Sequence, residues 1–219
     1  MKRWGPVFAT AFSLCVSAQA APLEVRAESS VTLTPALSER IDDLAREQVH
    51  AGRTPGLAIG IVQDGRIVYA RGFGFSTVGK HVSMAPDTQF YVGGLTREFT
   101  AAAVLLLSQE NKLSLDDKLG KFVPEFKLGS AIKVGQLLTQ TSGLPAYEAK
   151  DPTKPIKLAD VMAEIDTGKP LPAPGTYVDT PLNYLLAALV VERAGGLPLS
   201  DYLEQHIFIP LVMDSTFLA

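Results

Sequence analysis

Apolar positions change their period twice along the chain, from helical to strand-like and back to helical. Leu37, Ile41 and Leu44 follow one another at spacings of four and three, Val49 comes five later, and Gly52 ends the run. Thr34-Pro35 supplies a side-chain cap and a proline suited to a first helical turn. The spacing therefore predicts an amphipathic helix that needs a surface to lie on. Next, Leu57–Gln63 and Arg66–Phe73 flank Asp64-Gly65, a dipeptide that suits a tight two-residue hairpin turn. On the first strand Leu57, Ile59 and Ile61 share one face, and Ala58, Gly60 and Val62 share the other. Neither face is polar, which predicts cover on both sides.

From about residue 95 the period becomes helical, with Phe99, Ala102, Ala103, Leu106 and Leu107 recurring until Asn111. Shorter helical segments are expected over 134–139, 157–165, 182–194 and 200–207. Pro145, Pro152, Pro155, Pro174-Gly175 and Gly195-Gly196 punctuate the gaps. The order is helix, hairpin, helical block: an α/β chain of the layered α+β kind. No later stretch supplies a convincing strand, and a two-stranded sheet is marginal alone. The sheet therefore reads as incomplete, and its unpaired edge as a place for a partner strand, a second copy or aggregation.

The first twenty residues follow a different logic. Met1-Lys2-Arg3 is basic, Phe8 to Val16 is mostly apolar, and Ala18-Gln19-Ala20 reads as a cleavage site. That is a secretory signal peptide over 1–20, too short for the roughly 20 apolar residues that span a bilayer. A flexible leader, 21–33, precedes the domain over 34–219. Cleavage removes Cys15, the chain's 1 cysteine, so the exported protein is expected to have neither disulfide nor thiol nucleophile. A periplasmic or secreted protein with no membrane span follows. Within 219 residues, 47% apolar and 20% charged content fits a globular domain, and a net charge of −3 gives no basic excess for nucleic acid.

Local signatures then accumulate in order. Gly56-Leu57-Ala58 leads into Asp64-Gly65-Arg66-Ile67-Val68-Tyr69-Ala70-Arg71-Gly72-Phe73-Gly74, and Pro86-Asp87-Thr88-Gln89-Phe90 follows. Leu113 to Leu119, with Val123-Pro124-Glu125-Phe126, precedes Leu137-Leu138-Thr139-Gln140-Thr141-Ser142-Gly143-Leu144-Pro145. Phe208-Ile209-Pro210-Leu211-Val212-Met213-Asp214-Ser215-Thr216 closes the series. Over Pro55 to Thr216 the chain resembles the serine beta-lactamase and penicillin-binding-protein family, especially its class C-related group. Gln140 stands where that group usually has His, and Val212 where it has Gly. The resemblance implies a beta-lactamase/transpeptidase-like fold, truncated at its C-terminal side, with the late strands and closing helix expected beyond the "P-L-x-M" turn.

It also implies an acyl-transfer site, and here the residues depart from the pattern. The family acylates the serine of an S-x-x-K motif at a helix start, with the lysine as base. This chain reads Val92-Gly93-Gly94-Leu95-Thr96-Arg97, placing Gly94 at the serine and Arg97 at the lysine. Glycine carries no nucleophile, and a guanidinium keeps its proton in a protein. Alignment on Tyr184 and Glu192 puts Asp179, Thr180 and Pro181 where the family has Y-x-N; the alternative, Tyr177-Val178-Asp179 as a displaced substitute, needs compensating length changes on both sides. The third motif, K-T-G or H-x-G, has no counterpart before Ala219. The resemblance thus implies a degenerate, catalytically inactive relative.

Two rival readings stay open. An active hydrolase would need another nucleophile, with Thr96 and Ser142 the candidates. A binding module would use Arg97 and the helix start at Gly94, with Tyr177, to hold an anion such as the carboxylate of a peptidoglycan-like peptide, the resemblance implying an acyl-D-amino-acid or beta-lactam-like ligand class, or would pair strands at the hairpin edge. Arg97 has a blander alternative, an ion pair with a neighbouring carboxylate. His50, His81 and His206 show no metal-ligand spacing, and no cofactor or metal is expected.

Overall fold

Thr34 opens the first element: its hydroxyl accepts from the Leu37 amide at 3.4 Å, and α1 runs Pro35–His50. The computed structural model describes residues 33–147, 157–165 and 171–218. The expected signal peptide, all of the leader but residue 33, and Pro152 and Pro155 lie outside those residues. The chain divides into two units, one up to Thr88 and one from Gln89.

In the first unit β1 (Gly56–Gln63) and β2 (Arg66–Thr77) form the expected antiparallel hairpin. Asp64 and Gly65 both take positive φ, 49° and 73°, which matches the twist that two-residue hairpins require. The register shifts between Ile61 and Val62, a bulge that period-2 patterning does not reveal. The sheet has a third strand that the sequence reading missed: β3 (Val82–Ser83) pairs with the far end of β2 in the order β1-β2-β3. Two residues are too few to carry a period, and the reversal depends on a left-handed His81 at φ 51°. Gly72 is needed beside it, because a Cβ there would run into the Met84 carbonyl.

Cover on both faces of the hairpin is not what this unit shows. Helix α1 ties to β2 through Asp42, which is only 4% exposed although it follows Ile41 in what reads as a polar position. The Tyr69 hydroxyl donates to its Oδ1 at 2.5 Å, while Arg71 and Arg46 reach Oδ2. On the opposite face Val62 and Ile67, paired across the turn, stay exposed. The Asp42 carboxyl is held below its ordinary range, chiefly by the Tyr69 hydrogen bond and against the effect of burial. Burial first, and then Asp42, push the Tyr69 phenol from 10.0 up to about 12. The folded state therefore holds this proton more tightly than the unfolded chain does. Its contribution to stability is complete below pH 10 and is lost as pH rises through about 12. Urea midpoints should fall across that window, and Tyr69→Phe should flatten the fall.

The second unit is helical. A 3₁₀ turn, Gly93–Leu95, leads into α2 (Thr96–Gln109), and α3 (Val134–Leu138), α4 (Leu158–Ile165), α5 (Pro181–Gly195) and α6 (Leu199–Leu203) follow. The expected helix over 200–207 instead loosens after α6 into a π turn, Glu204–Phe208, with the rings of Tyr202 and His206 stacked 4.2 Å apart. Helix α5 buries Leu182, Asn183, Leu186, Ala187, Val190 and Val191 and packs its apolar face with Ala103, Val104 and Leu107 of α2. Each buried leucine or valine among them contributes roughly 1.5–3 kcal/mol of burial, so this pairing is what fixes the start of α2 relative to the start of α5.

Candidate active site

Gly94 sits in the 3₁₀ turn before α2, and Arg97 is the second residue of the helix itself. A Cβ at Gly94 would meet nothing within 4 Å, so packing does not demand glycine there. Across from it, Thr180 caps α5, its hydroxyl accepting from the Leu182 amide at 3.4 Å, and Pro181 fills the first helical turn. Asp179 immediately precedes that cap.

The two sets of sequence-assigned positions meet. Arg97 Nη1 lies 2.6 Å from Asp179 Oδ1, and its guanidinium sits 5.6 Å from the centre of the Tyr184 ring. Arg97 is one-third exposed and Asp179 more than half, so the pair is in contact with solvent. The sequence had left open whether Arg97 reads a ligand or a local carboxylate, and in the structure its partner is Asp179. An open cleft of about 390 Å³ adjoins the pair, lined among others by Tyr91, Gly94, Thr96, Thr100, Tyr184 and Leu199. Tyr177 is exposed and is not among the lining residues.

Gln140 holds this arrangement from behind. Its side chain donates to Asp179 Oδ1 at 3.1 Å, while its Oε1 accepts from the Thr180 amide at 3.2 Å and from Asn183 Nδ2. Its own carbonyl accepts from the Val178 amide at 2.9 Å. The residue is buried and left-handed, at φ 59°. Ser142 continues the network: its hydroxyl donates to Asn183 Oδ1 at 2.5 Å and accepts from the Leu144 amide at 3.2 Å. A hydroxyl used on both sides and 4% exposed is a structural tie. Thr96 lines the cleft, and its carbonyl accepts from the Thr100 hydroxyl at 3.3 Å.

Sequence reasoning missed the roles of Gln140, Asn183 and Tyr184. The one visible signal was Gln140 itself, a departure from the related sequences inside an otherwise matching run. Tyr184 served only to align the second motif; in the structure its ring lies beside the guanidinium, and its hydroxyl donates to the Leu138 carbonyl at 3.1 Å. Burial pushes its phenol above the ordinary range, with Arg97 opposing. Among the described residues no group of three or more His, Cys, Asp or Glu converges as a metal site would require.

A family model described as Beta-lactamase matches residues 41–219. Protein flp of Staphylococcus aureus strain MW2 is 32% identical over 193 residues, covering 84% of this chain and 39% of that relative. The chain thus spans about two fifths of the relative's length. Among solved structures, the octameric penicillin-binding protein homologue from Pyrococcus abyssi matches with a TM-score of 0.71 and 29% identity, over 80% of this chain and 43% of that one. A class C beta-lactamase matches with a TM-score of 0.71 at 24% identity, over 82% of this chain and 50% of that one, which supports the fold alone.

Proposed function

Since the chain belongs to the beta-lactamase family of serine hydrolases, we propose that it is an exported member in which acyl transfer has been lost. The observation that carries this reading is the Arg97–Asp179 pair beside Gly94. Acylation needs an oxygen or sulfur nucleophile and a group that removes its proton. At the position that faces the cleft there is a hydrogen atom, and the cation behind it is a guanidinium already matched by a carboxylate. The two hydroxyls considered as substitutes are poorly suited. Ser142 is buried and engaged, and Thr96, although it lines the cleft, has Arg97 as its neighbouring cation rather than a base.

The ligands we assign are acyl-D-amino-acid or beta-lactam-like molecules, held without turnover. Membership of the family supports that class. Export to the periplasm or beyond is supported by Met1-Lys2-Arg3, the apolar Phe8 to Val16 and the Ala18-Gln19-Ala20 site. Among the described residues no helix is long and apolar enough to cross a membrane.

Labelling with a fluorescent penicillin tests the reading. The purified chain is expected to run unlabelled on a denaturing gel. A labelled band that disappears in Thr96→Ala or Ser142→Ala would hand the case to an active hydrolase. For export, the protein recovered outside the cytoplasm should begin at Ala21; recovery with Met1 in place would contradict the signal-peptide assignment.

A further inference from the structure

Among the described residues that line the cleft, Arg97 is the one charged side chain, and Tyr91, Tyr184, Ala188 and Leu199 supply aromatic and aliphatic walls. A site built this way suits a small molecule with an apolar body and a single negative group. The inference rests on the part of that reading in which the cleft still binds such molecules, whether or not it turns them over.

We infer that Asp179 is an internal competitor for that ligand: its carboxylate occupies the Arg97 guanidinium, and a small apolar carboxylate binds in the cleft by taking its place. Three features of the pair support this. First, Asp179 engages a single guanidinium nitrogen, Nη1, whereas the group has five N–H donors arranged as a fork. A free carboxylate that meets the fork with both oxygens makes two bonds where Asp179 makes one. Second, the pair is solvated, with side-chain exposures of 33% and 58%. Ion pairs of this kind contribute little to stability, so exchanging one carboxylate partner for another costs little. Third, Arg97 has a second support that does not depend on Asp179, the face of the Tyr184 ring 5.6 Å away. Stacking of this kind keeps the guanidinium in place when its carboxylate partner changes.

Gln140 gives the device its set point. Because Gln140 Nε2 donates to the same Asp179 oxygen that Arg97 holds, Asp179 keeps a partner after it is displaced and does not swing far away. Its negative charge then remains near the incoming carboxylate and weakens its binding. Removing that charge while keeping the shape should strengthen binding. Asp179→Asn is the suitable change, since the amide oxygen still accepts from Gln140.

Titration of the chain with phenylacetate and with its neutral analogue phenylacetamide, followed by calorimetry or by ligand-observed NMR, tests the inference. Neither molecule is an acylating agent, so the result is independent of whether the site turns over an acyl donor. Phenylacetate affinity is expected to rise about tenfold in Asp179→Asn and to disappear in Arg97→Gln, while phenylacetamide responds to neither change. Arg97→Lys, which keeps the charge and loses the fork, should fall between. Unfolding midpoints for each variant establish that the fold is retained. Equal affinity in the parent and Asp179→Asn, or a gain shared by phenylacetamide, would overturn the competitor role. A penicillin adduct would overturn the inert reading and leave this result standing.

Discussion

A Gly94→Ser variant is expected to remain inert toward a chromogenic cephalosporin, with turnover on the order of a million-fold below that of a serine enzyme whose base is intact. The open space at Gly94 accepts the new side chain without strain, so the variant should fold, and the failure will be chemical. A serine hydroxyl attacks only when its proton is taken, and the adjacent cation is a guanidinium that stays protonated. Adding Arg97→Lys should not suffice either. The lysine would meet Asp179, whose carboxylate favours the charged ammonium over the free amine needed for base catalysis. On the proposed inactive reading the nucleophile and the base are both missing, and Asp179 keeps a restored lysine charged. Rates of the single and double variants should match buffer at every enzyme concentration, and a rate proportional to Gly94→Ser concentration would refute the role assigned to Arg97.

Gln140→Met should be the most damaging single change among the polar residues around the cleft. The two side chains have similar size, so the effect isolates hydrogen bonding. The substitution removes the acceptor of the Thr180 amide and of Asn183 Nδ2, and the donor to Asp179. Thr180 and Asn183 are buried, and each donor left without a partner costs about 1–3 kcal/mol. A loss of about 3 kcal/mol or more is expected in urea unfolding. Retention of the parent midpoint would show that water replaces the amide and that Gln140 is not the anchor described above.

Long, periodic elements were legible in the sequence because burial imposes their spacing. Helix α1, the Asp64-Gly65 hairpin, α2 and the buried α5 all followed from apolar period and capping residues. The rest depended on contacts between residues distant in sequence. Strand β3 consists of two residues and a left-handed His81, with nothing periodic about them. Asp42 follows Ile41 on α1 as a solvent-facing charge would, yet it is buried because Tyr69 and Arg71, contributed by β2, satisfy it. At the cleft, family resemblance placed Gly94, Arg97, Asp179 and Pro181 at the same site, but not the bond between Arg97 and Asp179. That bond joins residues 82 apart and depends on a glutamine, Gln140, whose side-chain partners no local pattern reveals. Tyr184 was legible only as an anchor for aligning the second motif, not as the ring beside the guanidinium.

The intact mass of the mature chain after prolonged incubation with excess penicillin measures the central claim most directly. With a hydrogen in place of the attacking hydroxyl and its neighbouring cation neutralised, the predicted spectrum is that of the unmodified polypeptide. A stoichiometric increase equal to one ring-opened antibiotic, mapped to any side chain lining the cleft, would contradict it.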